Sequence, residues 1–485
     1  MKKALAMLLC SLMLFSVLSG CSNAGPDEQE SSSVNEEETL WISPSLAPGD
    51  SFAGSEYNLL ANAAMDVGTE EASSDPLEDA IYRRNDKLES TYGIQINTLL
   101  EPDFEKVNSM VSVDISAGTG DYDTVYQHMV SAATGMALND QLVDLTSLNY
   151  VDFEQPWWDS DAKEGFMIGQ TQFLAVGDQL PRTLLESACI AFNKTQFDDL
   201  SWEYPYALAR DGAWTLDELN RLTKDQTKDL NGDGKIDYEN DYYGLTSWHL
   251  DSPFSFFFGS GATFFTKDED NYPVYEVDQE RIQSIYDKVY TTFITNDSLY
   301  ITDSNIWSEG FKVFASGRAL FTACSPTNIA NAAYGFKDMA DEYGILPQPK
   351  YDEDQENYMS FVNGAASVIV VPKSLGNERL EFSGFMMEAM ASSSYYMVTD
   401  TLYDKVAKSK NVRDQESAEM MDIIIRNRVF DFGYSHFFTK GYPCAVLFMT
   451  CLDAKTPSVA STIKRTKEYT VQKELHRILK SYQGD

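Results

Sequence analysis

Between residues 77 and 126 the spacing of the apolar residues alternates between the helical and the strand period. Few folds are compatible with that order. Residues 77–92 and 107–117 carry apolar side chains at helical spacing, and each segment ends in a glycine-containing turn. Residues 94–100 and 123–126 have the extended pattern of β-strands. Strands that alternate with helices predict a mostly parallel sheet with right-handed crossovers, and therefore an α/β fold.

The ends of the predicted strands provide the first candidate ligand contacts. In open α/β sheets, ligands bind beyond the carboxyl ends of the strands. The strand that begins at residue 123 ends at Tyr126, Gln127 and His128, so these residues are predicted to form a binding rim. Another strand is predicted at residues 39–42. Residues 46–74 carry no periodic pattern and are interpreted either as a loop over the cleft or as a poorly ordered segment.

The first 21 residues have the layout of a bacterial export signal. Two lysines precede an apolar run that is shorter than the roughly 20 residues of a spanning helix, which disfavours a signal anchor. The run ends in LSGC at residues 18–21, which resembles the bacterial lipobox and implies a diacylglycerol on the Cys21 thiol. Residues 1–20 are thus predicted to be a signal peptide and residues 21–38 a flexible acidic spacer. The resulting location is the outer face of the cell membrane, with the lipid as the only membrane contact.

Charge and motif content exclude several function classes. The net charge of −38 argues against nucleic acid as a partner, because both molecules would be polyanions. The four histidines stand in no metal or protease motif, and no nucleophile elbow, phosphate loop or dinucleotide fingerprint occurs. No pair of acidic residues stands out as a catalytic acid and base, so the chain is not expected to be an enzyme. Cys444 and Cys451 are interpreted as buried free thiols, with a disulfide between them as the alternative.

One motif indicates a metal ion. Residues 229–237 read DLNGDGKID, which has the alternating oxygen ligands and the turn glycine of an EF-type calcium loop. The twelfth position is Asn240, and the closing carboxylate comes one residue later. The loop therefore predicts a structural Ca²⁺, with a metal-free acidic turn as the alternative. The predicted ligands are Asp229, Asn231, Asp233, Lys235, Asp237 and Asp241.

A series of short segments from about residue 121 onward resembles the carbohydrate-type extracellular solute-binding proteins, in the order that family shows. These proteins are the capture subunits of ABC importers and are similar in layout to the maltose-binding protein. The segments are residues 120–123, 142–146, 155–158, 191–194, 213–219, 314–321 and 344–350.

The resemblance implies a two-lobed, periplasmic-binding-protein-like α/β fold with a hinge and a ligand cleft between the lobes. The first lobe is predicted to comprise residues 39–152 and about 360–400, and the second residues 153–359 and about 401–485. A monomer is expected that captures a mono- or oligosaccharide and delivers it to the permease subunits of an ABC transporter. The alternatives are an exported calcium-dependent carbohydrate-active enzyme and a glycan-binding surface adhesin.

The same resemblance, read with the chemistry of sugar binding, gives further candidate contacts. Sugars are bound by aromatic faces and by planar polar groups that hydrogen-bond their hydroxyls. Pro326 stands where the family often has a stacking tryptophan, so stacking from that strand is not expected. Trp157 and Trp158 are interpreted as core residues beside the hinge. The predicted contacts from these segments are Trp248, His249, Asp251, Ser325, Thr327 and Asn363.

Overall fold

Two β-sheets covered by helices organise the chain in the computed structural model. The structure describes residues 43, 45–46, 52–248, 251–302, 306, 308–407, 415–437, 443–465 and 468–483. The predicted signal peptide, the spacer with Cys21 and the strand predicted at residues 39–42 lie outside these residues. His249 and the side chains of Asp251 and Cys444 lie outside them too.

The described strands are short and follow one another at wide intervals. In chain order they are β1 (Glu56–Ala61), β2 (Gln95–Leu100), β3 (Thr124–His128), β4 (Cys189–Asn193), β5 (Tyr243–Trp248), β6 (Phe265–Lys267), β7 (Pro273–Tyr275), β8 (Leu299–Thr302), β9 (Ala319–Cys324), β10 (Tyr343–Pro347), β11 (Ser360–Phe361), β12 (Ser367–Val370) and β13 (Arg428–Val429).

Helices fill most of the intervals between the strands. The α-helices are α1 (Ala64–Val67), α2 (Pro76–Tyr92), α3 (Phe104–Ala117), α4 (Met129–Ser131), α5 (Ser160–Phe166), α6 (Pro181–Leu185), α7 (Lys194–Asp199), α8 (Tyr206–Arg210), α9 (Leu216–Thr223), α10 (Asp251–Gly259), α11 (Gln279–Tyr290), α12 (Glu309–Ala315), α13 (Pro326–Ala330), α14 (Asn377–Met397), α15 (Thr399–Ala407), α16 (Gln415–Arg426), α17 (Phe432–Phe437), α18 (Pro443–Asp453), α19 (Ala460–Arg465) and α20 (Glu468–Gln483). Shorter π- and 3₁₀-helical turns span Ala132–Met136, Ala137–Asn139, Leu145–Ser147, Thr291–Thr295, Ala332–Tyr334 and Phe336–Asp338.

The first sheet has the strand order β12–β3–β1–β2. Strand β1 runs parallel to both β2 and β3, whereas β12 returns from far along the chain and pairs antiparallel with β3. Helix α2 begins where the Asp75 carboxylate accepts hydrogen bonds from the N–H groups of Leu77 and Glu78, and it ends at Gly93 with φ of 64°. The helices and strands predicted between residues 77 and 126 are therefore confirmed within a few residues.

The central strand of this sheet lies where the sequence showed no pattern. Strand β1 falls inside residues 46–74, so the interpretation of that segment as a loop or a poorly ordered stretch was wrong for residues 56–61. Tyr57, Leu59 and Leu60 are buried, and so is Ala61. Because β1 is paired on both edges and covered on both faces, its burial does not alternate with the period of two that marks a half-exposed strand.

The second sheet has the strand order β10–β4–β9–β5–β8 and draws all its strands from residues 189–347. Strands β4, β9 and β10 pair antiparallel, whereas β5 runs parallel to both β8 and β9. The carboxyl ends of β5 and β9 therefore open on the same side of the sheet. The chain thus forms two α/β lobes, as predicted, while the lobe boundaries given above stay a prediction.

The segments that cross between the two sheets are hydrogen-bonded to one another. The Ala188 N–H donates to the Phe361 carbonyl at 2.8 Å, and the Val362 N–H donates to the Val429 carbonyl at 3.1 Å. Strands β11 and β13 pair in parallel in the same place. These paired crossing segments hold the lobes side by side and form the hinge region.

A buried glutamate fixes the segment that carries Trp157 and Trp158 in the core of the first lobe. Glu388 of α14 is fully buried and accepts hydrogen bonds from the indole N–H groups of Trp157 at 3.1 Å and Trp158 at 2.9 Å. The Ser43 hydroxyl donates to the same carboxylate at 2.6 Å, and the Asp152 N–H donates at 3.3 Å. A buried carboxylate persists when its lone pairs are used in this way. Both tryptophans are thus core residues, as predicted.

A histidine in the C-terminal helices predicts a pH dependence of stability. The His436 ring is buried between the Ser435 hydroxyl at 2.9 Å and the Tyr482 hydroxyl at 3.0 Å, and burial lowers its pKa from 6.5 to about 3. Below pH 6.5 the His436 side chain is protonated in the unfolded chain but stays neutral in the folded chain. The free energy of unfolding therefore decreases as pH falls from 6.5 towards 3. Urea unfolding measures the gap in free energy of unfolding between the wild type and His436→Gln. We expect this gap to be about 2 kcal/mol smaller at pH 5 than at pH 7. A gap independent of pH would contradict this.

Two further features of the fold are the hydropathy of its helices and the oxidation state of its cysteines. Within the described part of the chain, no helix is both long and apolar enough to cross a membrane. Cys189, Cys324 and Cys451 are buried free thiols. The interpretation of Cys451 as a free thiol agrees with this, while the side chain of Cys444 is not described.

Candidate functional site

A cavity of about 290 Å³ lies where the crossing segments meet the carboxyl ends of β5 and β9. Strand β5 ends at Trp248 and β9 ends at Cys324, and both residues line the cavity. The opposite wall comes from the crossing segments that contain Arg182 and Phe361. The full lining comprises Arg182, Glu186, Ala188, Trp248, Ser252, Ser255, Phe311, Ala323, Cys324, Ser325, Thr327, Asn328, Asn331, Tyr334, Phe361, Asn363 and Ala365.

A guanidinium, a carboxylate and an amide stand together in the wall formed by the crossing segments. Arg182 Nε lies 3.5 Å from Glu186 Oε1, one helical turn further along, and Asn363 Nδ2 donates to Glu186 Oε2 at 2.8 Å. The Glu186 side chain is only 6% exposed. Its negative charge is therefore stabilised by Arg182 and Asn363 and not by water. All three side chains are planar polar groups of the kind that hydrogen-bond vicinal hydroxyls.

The first lobe supports this wall through a buried acid. Asp66 of α1 follows the carboxyl end of β1 and accepts a hydrogen bond from the Arg182 backbone N–H at 2.9 Å and another from the Ser367 hydroxyl. Burial raises the pKa of the Asp66 carboxyl to about 6, although these hydrogen bonds oppose the shift. Asp66 therefore ties α1 of the first lobe to the start of α6, which carries Arg182.

Aromatic side chains line the cavity from both sides. Trp248 comes from β5 and Phe361 from β11, while Phe311 and Tyr334 pack together with ring centroids 5.2 Å apart. Burial raises the pKa of Tyr334, and the charge of Glu186 adds to that shift. Pro326 is the first residue of α13 and supplies no aromatic ring, as expected from the sequence. Tyr334, eight residues further along, adds an aromatic side chain to this wall.

Hydroxyl groups occur where the chain leaves β9. Ser325 caps α13 in a reciprocal capping box: its hydroxyl accepts a hydrogen bond from the Asn328 N–H, and the Asn328 side-chain amide oxygen accepts one from the Ser325 N–H. Thr327 Oγ1 is buried and has no hydrogen-bond partner among the described residues. A buried hydroxyl without a partner is costly unless a ligand or water satisfies it, so the Thr327 hydroxyl is available for such a hydrogen bond.

Some of the predicted ligand contacts line the cavity and others do not. Trp248, Ser325, Thr327 and Asn363 line the cavity together. Tyr126 and Gln127 do not line it. The Tyr126 hydroxyl lies against Met390 Sδ, and the Gln127 amide donates to the Phe104 carbonyl and to Asn108, so both are buried within the first lobe.

His128 lies beside the cavity but is not part of its lining. Its ring packs on Phe104 with centroids 4.5 Å apart, and its Nδ1 accepts a hydrogen bond from the Ser131 N–H. Burial, together with the positive charge of Arg182, lowers the pKa of His128 to about 4. His128 is therefore neutral at physiological pH. His249 and the side chain of Asp251 lie outside the described residues.

The sequence reasoning missed the residues of the crossing wall. Arg182 and Glu186 stand four residues apart after Pro181, a spacing that brings oppositely charged side chains together on a helix. That signal was present but common, because such pairs occur on many exposed helices. Tyr334 and Phe361 carried no signal, since nothing local shows that residues so far apart meet at one cavity.

A larger cavity of about 570 Å³ lies elsewhere, between α2 and the edge strand β2. Its lining is mostly polar and includes the acidic residues Glu70, Asp86 and Glu89, with Tyr82 as the aromatic residue. It draws on the first lobe alone. We therefore regard the smaller cavity, which joins the second lobe to the crossing segments, as the candidate binding site.

The calcium-like loop folds through hydrogen bonds of its own backbone. Asp229 accepts from the N–H groups of Gly232 and Gly234 at 2.6 and 2.8 Å, and Asp241 accepts from those of Leu230 and Asp237 at 2.9 and 2.8 Å. These backbone hydrogen bonds hold the pKa of Asp241 below its ordinary value. Among the described residues, no group of three or more His, Cys, Asp or Glu side chains is arranged to hold a metal ion. The calcium site stays a prediction.

Solved structures with the same fold cover most of the chain. The GacH receptor of Streptomyces glaucescens, solved unliganded and with acarbose, matches with a TM-score of 0.53 and 15% identity over 89% of this chain and 98% of its own. The maltose/maltodextrin-binding domain MalE from Bdellovibrio bacteriovorus, bound to maltotriose, matches with a TM-score of 0.54 and 13% identity over 86% and 100%. An ABC transporter solute-binding protein from Thermotoga lettingae, bound with α-D-tagatose, matches with a TM-score of 0.54 and 14% identity over 88% and 99%.

These matches define the fold and leave the ligand open. No protein-family profile matches the sequence, and no curated protein matches it. The chain has the two-lobed α/β fold of ABC-transporter solute-binding proteins, as the sequence resemblance implied.

Proposed function

We propose that this chain, built on the fold of ABC-transporter solute-binding proteins, captures a mono- or small oligosaccharide and delivers it to an ABC importer. The observation that carries the proposal is the 290 Å³ cavity beside the hinge, lined by aromatic side chains and by planar polar groups. That combination suits the C–H patches and hydroxyls of a sugar. The relatives with this fold bind acarbose, maltotriose and tagatose.

The same lining supports capture over catalysis. Among its described side chains, Glu186 supplies a carboxylate, and that carboxylate is engaged by Arg182 and Asn363. Glycoside hydrolases use a pair of carboxylates on either side of the scissile bond. We therefore propose a monomeric binding protein in which closure of the lobes around the solute creates the form that the permease recognises.

A thermal-shift screen against mono- and oligosaccharides tests this function. A sugar that binds only the folded state should raise Tm by about 3 °C at a concentration about 100 times its Kd. Asn363→Ala should lose the response, whereas Asn97→Ala, in the larger cavity of the first lobe, should keep it. Silence across all sugars, or the appearance of cleaved products from a bound glycan, would argue against the proposal.

We also propose that Cys21 carries the lipid that keeps the receptor beside its permease. The support is the lipobox-like LSGC at residues 18–21 and the acidic spacer that follows it. Cells grown with labelled palmitate should incorporate the label into the wild type and not into Cys21→Ser, which should appear in the medium or as unprocessed precursor. Labelling of Cys21→Ser at the wild-type level would refute the anchor.

A structural calcium in the loop of residues 229–241 is a further proposal, supported by the spacing of its oxygen ligands. Binding would require Asp229 and its neighbours to exchange backbone hydrogen bonds for the ion. Added Ca²⁺ should then raise Tm for the wild type and not for Asp229→Asn/Asp233→Asn, while Mg²⁺ at the same concentration should have a smaller effect. Equal Tm values with calcium and with a chelator would show that the loop is a metal-free turn.

A further inference from the structure

Two buried cysteines face each other across the second sheet. Strands β4 and β9 are antiparallel neighbours, and Cys189 of β4 stands directly opposite Cys324 of β9. Their sulfur atoms lie 3.7 Å apart. Cys189 is fully buried and Cys324 is 8% exposed. No local pattern pairs these two residues, since 135 positions separate them.

The backbone geometry at this position suits a covalent link. Residues directly opposite each other on antiparallel strands have Cα atoms about 4.5–5.5 Å apart. Disulfides span Cα separations of about 4.4–6.8 Å, so the two strands need not move apart or together for a bond to form. Side-chain rotation of the two cysteines is what remains to bring the sulfurs to bonding distance.

We propose that Cys189 and Cys324 form a disulfide in the exported protein. The reaction is thiol–disulfide exchange with a small-molecule disulfide outside the cytoplasm. Both S–H bonds break and one S–S bond forms. The two electrons and two protons pass to the oxidant, whose disulfide becomes two thiols.

The cavity determines which cysteine reacts first. Cys324 lines the cavity, so its thiolate reaches an oxidant that enters there and forms the mixed disulfide. Cys189 then attacks the Cys324 sulfur and displaces the remaining thiolate of the oxidant. Burial raises the pKa of the Cys189 thiol well above its ordinary value, with a further contribution from Cys324. The closing step is therefore expected to be slow, because the attacking species is the thiolate.

The link would join two parts of the site. Ala188, which lines the cavity, precedes Cys189 and is hydrogen-bonded to Phe361 in the crossing segments. Ser325, which caps α13, follows Cys324. A bond between the cysteines would thus fix the hinge side of the cavity to the wall that carries Thr327. It would also close a long loop in the unfolded chain, which favours the folded state.

Alkylation under denaturing conditions followed by peptide mapping tests the link. The full exported chain is incubated with oxidised glutathione and compared with a sample kept in dithiothreitol. The expected result is a cross-linked peptide pair containing Cys189 and Cys324, with loss of both alkylation sites and a higher urea midpoint than the reduced sample. Cys189→Ser and Cys324→Ser should each abolish the pair and the difference in midpoint.

Cys451 supplies the matched control. It is buried like the other two, but its sulfur lies 3.6 Å from the Thr462 hydroxyl. Cys451→Ser should leave the Cys189–Cys324 pair intact. Full alkylation of Cys189 and Cys324 after prolonged oxidation of the folded protein, or a link from either one to another cysteine, would overturn the inference. No solute is needed, so this outcome is independent of the proposed function.

Discussion

Replacing Glu388 by alanine is expected to lower the free energy of unfolding by about 4 kcal/mol. The carboxylate accepts hydrogen bonds from the indole N–H groups of Trp157 and Trp158 in the core of the first lobe. Alanine would leave both donors without an acceptor, remove the bond from Ser43 and open a cavity. Urea unfolding monitored by tryptophan fluorescence measures the change, since two of the chain's seven tryptophans lie at the site.

Two companion variants separate the hydrogen bonds from a general effect on α14. Glu388→Gln keeps one oxygen acceptor but presents an amide donor to an indole N–H, so an intermediate loss of about 2 kcal/mol is expected. Glu381→Ala lies on the exposed face of the same helix and should change the free energy of unfolding by less than about 0.5 kcal/mol. Equal effects of Glu388→Ala and Glu381→Ala would show that the buried network does not stabilise the fold.

Replacing Trp248 by alanine is expected to weaken binding of the captured sugar by about 100-fold. Trp248 ends β5 at the cavity, and its backbone N–H donates to the Ser252 hydroxyl of α10 at 3.1 Å. The side chain is partly exposed, so it offers an aromatic surface to a solute without forming part of the core. Isothermal titration with the sugar found in the screen gives the affinity directly.

Conservative and distant substitutions distinguish stacking from a loss of folding. Trp248→Phe retains an aromatic ring and should recover most of the affinity. Trp202→Ala removes a tryptophan that packs on Phe197, away from the cavity lining, and should leave the affinity unchanged even if Tm falls. Unchanged affinity in Trp248→Ala would exclude this tryptophan from the binding site.

The parts of the fold that were predictable have local signals. Helices α2 and α3 begin at the aspartates Asp75 and Asp103 and end at Gly93 and Gly118, and each carries an apolar stripe. These features act over a few residues, so the sequence alone indicates them. Strand β1 lacks such signals because its environment comes from β2 and β3, strands that follow it by at least 34 positions. Its burial is a tertiary effect.

The residues of the candidate site could be predicted only where the family resemblance indicated which segments reach the cleft. Trp248 and Asn363 were expected from the order of the family segments, and both line the cavity. Tyr126 and Gln127 were inferred from the rule that ligands bind at the carboxyl ends of strands, but the rule does not state which sheet supplies the wall. The second sheet supplies it, through β5 and β9. Glu186 depends on contacts between crossing segments that no local pattern reveals.

A crystal structure of the chain with its captured sugar tests the central claim most directly. The proposal predicts electron density for the sugar in the cavity beside the hinge, stacked on Trp248 and hydrogen-bonded to Asn363 and Glu186. Density for the sugar in the cavity between α2 and β2, or at any site that leaves Trp248 and Asn363 uncovered, would contradict it.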